Sequence, residues 1–145
     1  MLSISVSTKP VEKQISNLQS SISNFSWAWD DIITKILHPT IRQIFESDGR
    51  GRWPRRKDNL PHPLLRKSGR LFASLTNTGH RDNINRQTAT SLTYGTNVPY
   101  SSFHEEGTSR IPARSFLQPI AEDASIEEQL SQLLESNLQG RINRR

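Results

Sequence analysis

The sequence contains no cysteine among its 145 residues, and it has no long apolar run. Disulfides, thiol catalysis and thiolate metal sites are therefore excluded. No segment approaches the roughly 18 apolar residues that a membrane span needs, and the first residues lack the basic-then-apolar order of a secretory signal. We therefore expect a soluble protein that is made and used in the cytoplasm and does not contact a membrane.

The chain is also poor in hydrophobic residues, which make up 32% of it, and its mean hydropathy is −0.66. A chain of this length forms one domain and buries roughly two-thirds of its unfolded surface. Such a small core suits a subunit that completes its burial against neighbours, and it equally suits a compact domain with disordered ends. We expect residues 1–140 to form a single domain, followed by a basic tail at 141–145.

Motifs for catalysis and metal binding are missing as well. The four histidines are scattered, without the i, i+4 pair of a zinc helix, and no nucleophile elbow, phosphate-binding loop or dinucleotide fingerprint occurs. The acidic pairs Asp30-Asp31 and Glu105-Glu106 are adjacent, so their side chains would not face each other on a helix. We interpret them as solvated carboxylates and expect no enzyme activity, no cofactor and no metal.

Positive charge is concentrated in one segment. Residues 48–70 carry eight basic and two acidic residues, a net charge of +6, whereas the whole chain has +5. The same segment contains three glycines and three prolines, which disfavour helices and strands. We call residues 48–70 the arm and predict a long basic loop, because loops of this length are usually functional or disordered.

The basic residues of the arm have two open interpretations. Clustered Lys and Arg side chains release counterions from DNA, and an indole among them can stack on a base. The DNA-facing candidates are Arg50, Arg52, Arg55, Arg56 and Lys57. The other interpretation is a solvated run, or pairing with acidic residues of a neighbouring copy such as Glu127, Glu128 and Glu135.

Four apolar residues of the arm are poor choices for a solvated loop and need a surface to lie on. We predict that they contact another subunit: Trp53, Leu60, Leu64 and Leu65.

Elsewhere, apolar spacing predicts helices and short strands. Alternation at Leu2, Ile4 and Val6 predicts a strand, and segment 83–96 is rich in strand-forming residues. Helices are predicted over 11–22, over 27–45 with a kink or a split near His38 caused by Pro39, and between Pro99 and Gly107. A last helix is predicted from a capping box at Ser125 and Glu128 to a stop at Gly140. The sum is an α+β fold, with long helices packed on a small antiparallel sheet.

Several residues near the end of this region have a chemical interpretation of their own. Tyr100, Phe103 and His104 would share one helix face, with Tyr100 and His104 as a packed, hydrogen-bonded core corner. Pro112 enforces an extended segment, after which Phe116 and Leu117 can fill a groove. Arg114 can donate a forked pair of hydrogen bonds to a carboxylate or to carbonyl groups. Gly69, Gly95 and Gly107 suit turns or helix ends where a β-carbon would clash.

Between residues 40 and 120 these positions belong to a series of short motifs. The series is Ile44-Phe45 with Gly51-Arg52-Trp53, Ser68-Gly69-Arg70-Leu71 with Ser74-Leu75, Tyr94-Gly95-Thr96, Tyr100 with His104 and Gly107, and Ile111-Pro112-Ala113-Arg114 with Phe116-Leu117. In order and spacing it resembles the phage virion morphogenesis family, the tail-completion proteins of Mu-like and P2-like phages. The chain departs from the family pattern at Ser101, at Ser115 and at Glu105-Glu106.

The resemblance implies a structural virion protein of the phage neck that completes the tail and joins it to the head. Its partners would be copies of itself in a closed ring, other neck, connector and tail proteins, and double-stranded DNA in the channel. A hexamer would match tail symmetry, whereas a dodecamer would suit a position nearer the portal. The protein would be assembled in the host cytoplasm and end in the virion neck or tail.

The resemblance also sorts the motif residues by role. Partner contacts are expected at Arg114, Phe116 and Leu117. Structural motif positions are Gly69, Leu71, Gly95, Tyr100, His104, Gly107 and Pro112. The rival interpretation, from a different class of protein, is a small nucleic-acid-binding protein that uses the arm.

Overall fold

The computed structural model describes residues 2–7, 25–58 and 63–143, with the backbone alone at positions 141 and 142. Within these ranges the chain is α+β, with five helices and one three-stranded antiparallel sheet, so the predicted fold class is confirmed. The predicted helix over 11–22, Leu60 and the last two arginines lie outside the described residues.

The sheet has the strand order β1-β3-β2, formed by β1 (Leu2–Ser7), β2 (Asn83–Gln87) and β3 (Ser91–Thr96). Both neighbours pair antiparallel with β3, and the register places Ile4 opposite Tyr94. The predicted first strand is confirmed. Segment 83–96 forms a hairpin of two strands, because the Thr88 N–H donates to the Ser91 carbonyl at 2.9 Å and closes a tight turn.

The longest element, α1, is a continuous helix of three segments: α-helical Ser26–Ile32, π-helical Ile33–Leu37 and α-helical His38–Glu46. The His38 N–H donates to the carbonyl of Ile33, five residues back. Proline lacks an N–H and crowds the preceding turn of an α-helix. The helix is not split at the proline, because a widened turn lies directly before Pro39 and the helix continues.

Four further helices complete the described fold: α2 (Arg70–Thr76), α3 (Ser101–Glu106), α4 (Gln118–Ala121) and α5 (Ala124–Ile142). The predicted capping residue of α5 is wrong. The cap is Asp123, whose side chain accepts from the Ser125 N–H, and this satisfies a donor at the helix start. Gly140 lies inside α5 instead of ending it. No helix in the described ranges is long and apolar enough to cross a membrane.

The core forms around α1, which contacts α2 and α5, while α2 contacts β3. One end of this core is aromatic and centres on Phe45. The Phe45 ring lies 5.4 Å from Trp53 at the base of the arm, 5.3 Å from Phe72 in α2 and 5.8 Å from Phe116 before α4. Segments far apart in sequence therefore meet at one corner, and this corner positions the candidate site.

Candidate binding groove

A groove of about 910 Å³ lies between the arm and the segment that runs from Tyr100 to Arg114. We call it the arm groove. Its walls include the apolar side chains of Leu64, Leu65 and Ile111, and a single carboxylate, Asp58, lies among its described lining residues. Six basic residues line it: Arg55, Arg56, Lys57, Lys67, Arg110 and Arg114. The groove therefore combines an excess of positive charge with apolar walls.

The base of the arm is a tight turn in left-handed backbone conformation. Asp48, Gly49, Arg50 and Gly51 all have φ between +50° and +78°. Gly49 is buried, and a β-carbon there would collide with the Trp53 ring. The turn closes with a hydrogen bond of 3.0 Å from the Trp53 N–H to the Asp48 carbonyl. The glycine-rich sequence thus returns the chain so that the indole points into the protein.

Trp53 is buried in its own chain, with 6% of its surface exposed. Its ring meets Phe45 edge to face at an interplanar angle of 90°, and its indole N–H donates to the Ser115 carbonyl at 2.9 Å. The prediction that Trp53 contacts another subunit or stacks on a base is therefore wrong. An indole satisfies both its apolar area and its N–H most favourably in such a site.

Arg114 holds the arm against the body of the protein. Its Nε donates to the Pro54 carbonyl at 2.9 Å, and its Nη2 lies 3.5 Å from the Arg55 carbonyl. Its backbone N–H donates to the His104 carbonyl at 2.7 Å. The predicted forked donation to carbonyl groups is confirmed, but its acceptors belong to the same chain. Burial and then the Arg56 charge lower the pKa of Arg114.

Glu105 makes a buried structural contact that the sequence interpretation missed. It is 7% exposed, and its carboxylate accepts three backbone N–H groups. The shortest distances are 2.7 Å from Phe116, 3.1 Å from Leu117 and 2.7 Å from Gln118. These donors precede and begin α4, where unpaired N–H groups favour an anion. The interpretation of Glu105 as a solvated carboxylate is wrong, whereas Glu106 is exposed.

Two of the departures from the family pattern, Glu105 and Ser115, lie at this contact. The Ser115 hydroxyl donates to the Glu105 carbonyl at 2.9 Å, and the Ser115 carbonyl accepts from Trp53. Ser101 is buried, and its hydroxyl donates to the Val98 carbonyl at 2.7 Å. The departure from the family pattern at Glu105 was the one feature of the sequence that pointed to this contact. No sequence motif identifies residues 116–118, eleven to thirteen positions later, as its partner.

Phe116 and Leu117 fill the core directly beside this carboxylate. They are 0% and 2% exposed, so the prediction that they contact a partner is wrong, while the prediction that they fill a groove holds within their own chain. Leu64 and Leu65 are half-buried and pack against the core while lining the arm groove. The predicted contact at Leu60 lies outside the described residues.

The rings of Tyr100 and His104 pack together as their spacing predicts. They lie 5.8 Å apart at 82°, and both residues line the arm groove. The expectation that Phe103 shares this packed corner is wrong, because 52% of its surface is exposed. The Nδ1 atom of His104 is buried and has no hydrogen-bond partner in the described structure. Burial and then the Arg114 charge lower the pKa of His104. Both effects favour the neutral form of the imidazole.

The predicted turn glycines divide into two kinds. Gly107 ends α3 at φ +77°, and a β-carbon there would lie 2.7 Å from the Ala113 nitrogen, as predicted. Gly69 precedes α2 at φ +75°, before the buried Leu71. The clash expected there is wrong, because a β-carbon would meet no atom within 4 Å, and only the positive φ favours glycine. Gly95 lies inside β3 instead of at a turn, and a β-carbon would collide with the Leu2 carbonyl oxygen of β1. Pro112 lines the arm groove, in a segment without regular secondary structure.

The basic residues of the arm separate into paired and exposed groups. Arg50 pairs with Asp123 at 2.9 Å, and Arg56 pairs with Asp58 at 2.6 Å. The Arg50 guanidinium therefore ties the arm to the start of α5. Its contact with DNA stays a prediction. The second group is exposed and has no ion pair within the described ranges. It comprises Arg52, Arg55, Lys57 and Lys67.

The arrangement is suited to binding an anionic surface. Within the described residues, no group of three or more acidic or histidine side chains is placed to hold a metal. The groove instead offers guanidinium and ammonium donors beside leucine and isoleucine side chains. Arginine binds carboxylates and phosphates through charged hydrogen bonds. Comparison of the chain with protein-family models, curated proteins and solved structures gave no match.

Proposed function

We propose that this protein is a non-enzymatic structural subunit of the ring that completes a phage tail and joins it to the head. The order of motifs between residues 40 and 120 is the origin of the proposal. One observation supports the proposal: residues from separate motifs meet at the aromatic corner around Phe45. Trp53 donates to the carbonyl beside Phe116, and Arg114 holds the arm at Pro54.

This corner supports an assembly role because it holds the arm rigidly at its base. The arm begins in a turn packed on Phe45, and Arg114 fixes its next residues. The exposed basic residues and the apolar groove wall then keep a fixed position relative to the body of the subunit. Heterologous contacts between such subunits generate a closed ring when the rotations between successive subunits add up to a full turn. A hexamer matches tail symmetry, and a dodecamer would suit a place nearer the portal.

Binding of nucleic acid is the second candidate function, and one observation favours it. Arg52, Arg55 and Lys57 are exposed and have no ion pair in the described part of the chain. In a neck ring they would face DNA in the channel, and in a free protein they would be the main binding surface. Binding through such residues weakens steeply with salt.

The decisive test of the neck function is deletion of this coding sequence from the phage genome that carries it. We expect lysates with separate heads and tails in negative-stain electron microscopy, and infectious particles after expression of the protein in trans. Mass spectrometry of purified virions should detect the chain. Intact infectious particles from the deleted genome would exclude a role in joining. A protein that binds duplex DNA in a salt-sensitive way and is absent from virions would support the second candidate.

A further inference from the structure

The chain carries two patches of opposite charge that share no residue. The arm has a net charge of +6, and six basic residues line the arm groove. Residues 121–140 contain five acidic residues and no basic one. None of the described residues that line the arm groove belongs to this acidic region. The arm and residues 121–140 are therefore nearly equal in the size of their net charge and opposite in its sign.

The acidic patch has a regular geometry on α5. Glu128 and Glu135 are seven residues apart, which places them on one helix face about 10 Å apart along the axis. Gln132 lies between them and donates to Glu128 at 3.3 Å. Neither carboxylate has an ion pair within the described ranges, and Glu128 is exposed while Glu135 is half-buried. The face offers two carboxylates and the methylene groups of their side chains.

The protein already joins arm and acidic region within one chain. Arg50 at the base of the arm pairs with Asp123 at the start of α5. That ion pair involves Arg50 and the N-cap residue of α5, Asp123. It leaves Lys57 and Lys67 of the arm exposed. Both residues line the arm groove.

We infer that the arm groove receives the acidic face of α5 from a second copy of this chain, with Lys57 and Lys67 facing Glu128 and Glu135. The groove walls favour this occupant over DNA. Leu64, Leu65 and Ile111 can pack on glutamate and glutamine methylenes, whereas a phosphate backbone gives them no apolar surface. The inference rests on the proposed ring, because contacts between two different patches propagate around a ring.

Charge exchange tests the contact in the full-length protein. We expect wild-type protein to self-associate in sedimentation velocity and to dissociate as NaCl is raised from 50 to about 500 mM. The double substitutions Lys57→Glu with Lys67→Glu, and Glu128→Lys with Glu135→Lys, should each weaken association at least about tenfold. A chain that carries all four substitutions should recover it, because each reversed patch again meets its opposite.

Matched controls separate this contact from a general effect of charge. Arg42→Glu with Arg86→Glu reverses two exposed cations outside the groove, and Glu46→Lys reverses an exposed carboxylate on α1. These variants should associate like the wild type. Circular dichroism and thermal unfolding should show native folds for all variants.

Several outcomes would overturn the inference. They are a wild-type chain that stays monomeric, a loss of association in the arm variant alone, and a fourfold variant that does not recover. Loss of duplex-DNA binding in the arm variant with unchanged self-association would assign the groove to nucleic acid instead. The test is independent of the deletion experiment. If the fourfold variant does not recover self-association but deletion leaves heads and tails unjoined, only the proposed contact is rejected. If the fourfold variant recovers self-association but deletion still gives intact virions, the neck function is rejected.

Discussion

The indole N–H of Trp53 donates to the carbonyl oxygen of Ser115 at 2.9 Å, across 62 positions of sequence. The bond connects the base of the arm to the segment that precedes α4. It also explains why an apolar residue occurs in a basic, proline-rich stretch, since the ring is a core residue that the turn at 48–51 directs inward.

Replacement of Trp53 should separate packing from hydrogen bonding. Trp53→Ala should lower the free energy of unfolding by about 3–5 kcal/mol, because it leaves a cavity beside Phe45. Trp53→Phe keeps most of the packing and leaves the Ser115 carbonyl without its donor, so the loss should be about 1–2 kcal/mol. Urea denaturation followed by circular dichroism measures both. An alanine variant as stable as the wild type would contradict the burial of Trp53 in its own chain.

Glu105→Gln should destabilise the protein by about 2–3 kcal/mol. The amide removes the negative charge and directs an NH₂ group at backbone N–H donors of residues 116–118. The neighbouring exposed residue supplies the control, since Glu106→Gln should change stability by less than about 0.5 kcal/mol. Denaturant midpoints that are equal for the two variants would show that the buried carboxylate does not hold this segment.

Stability should depend on pH through Asp123. Hydrogen bonds from Ser125 and then Arg50 lower the pKa of Asp123 from 3.8 to about 2. A depressed folded pKa means that the stabilisation is complete above the unfolded value and is lost as pH falls from about 4 to about 2. Asp123→Asn should show a shallower loss of stability in this window. Urea midpoints measured between pH 5 and 2 provide the test, and identical slopes would contradict it.

Arg114→Lys should loosen the arm without unfolding the protein. Lysine cannot donate to the Pro54 and Arg55 carbonyls in the forked geometry of a guanidinium. Trypsin should then cleave after residues 55–57 about tenfold faster, in proportion to the population of the opened arm. Arg110→Lys is the matched control, because Arg110 is exposed on the same groove. Equal cleavage rates would show that Arg114 does not control the arm.

The helix and strand predictions succeeded where the signal was local. Alternation marked β1, and apolar spacing marked α1 and α5, because side-chain burial repeats with the period of each element. The details at helix ends failed. Asp123, not Ser125, is the N-cap of α5, and the helix continues through Gly140. Asp123 and Ser125 satisfy the same sequence rule for a cap, so tertiary contacts choose between them. For Asp123 that tertiary contact is the ion pair with Arg50.

The sequence by itself determined the α+β class, the absence of thiol chemistry and the location of the basic arm, because composition and periodicity act over short distances. Only the tertiary structure decided which arm residues remain available to a partner. In the sequence, nothing separates Trp53 and Arg50 from Lys57, because all three belong to one basic and aromatic run. Their partners, Ser115 and Asp123, lie more than 60 positions away. Folding pairs the first two and leaves Lys57 exposed, and no local pattern encodes that choice.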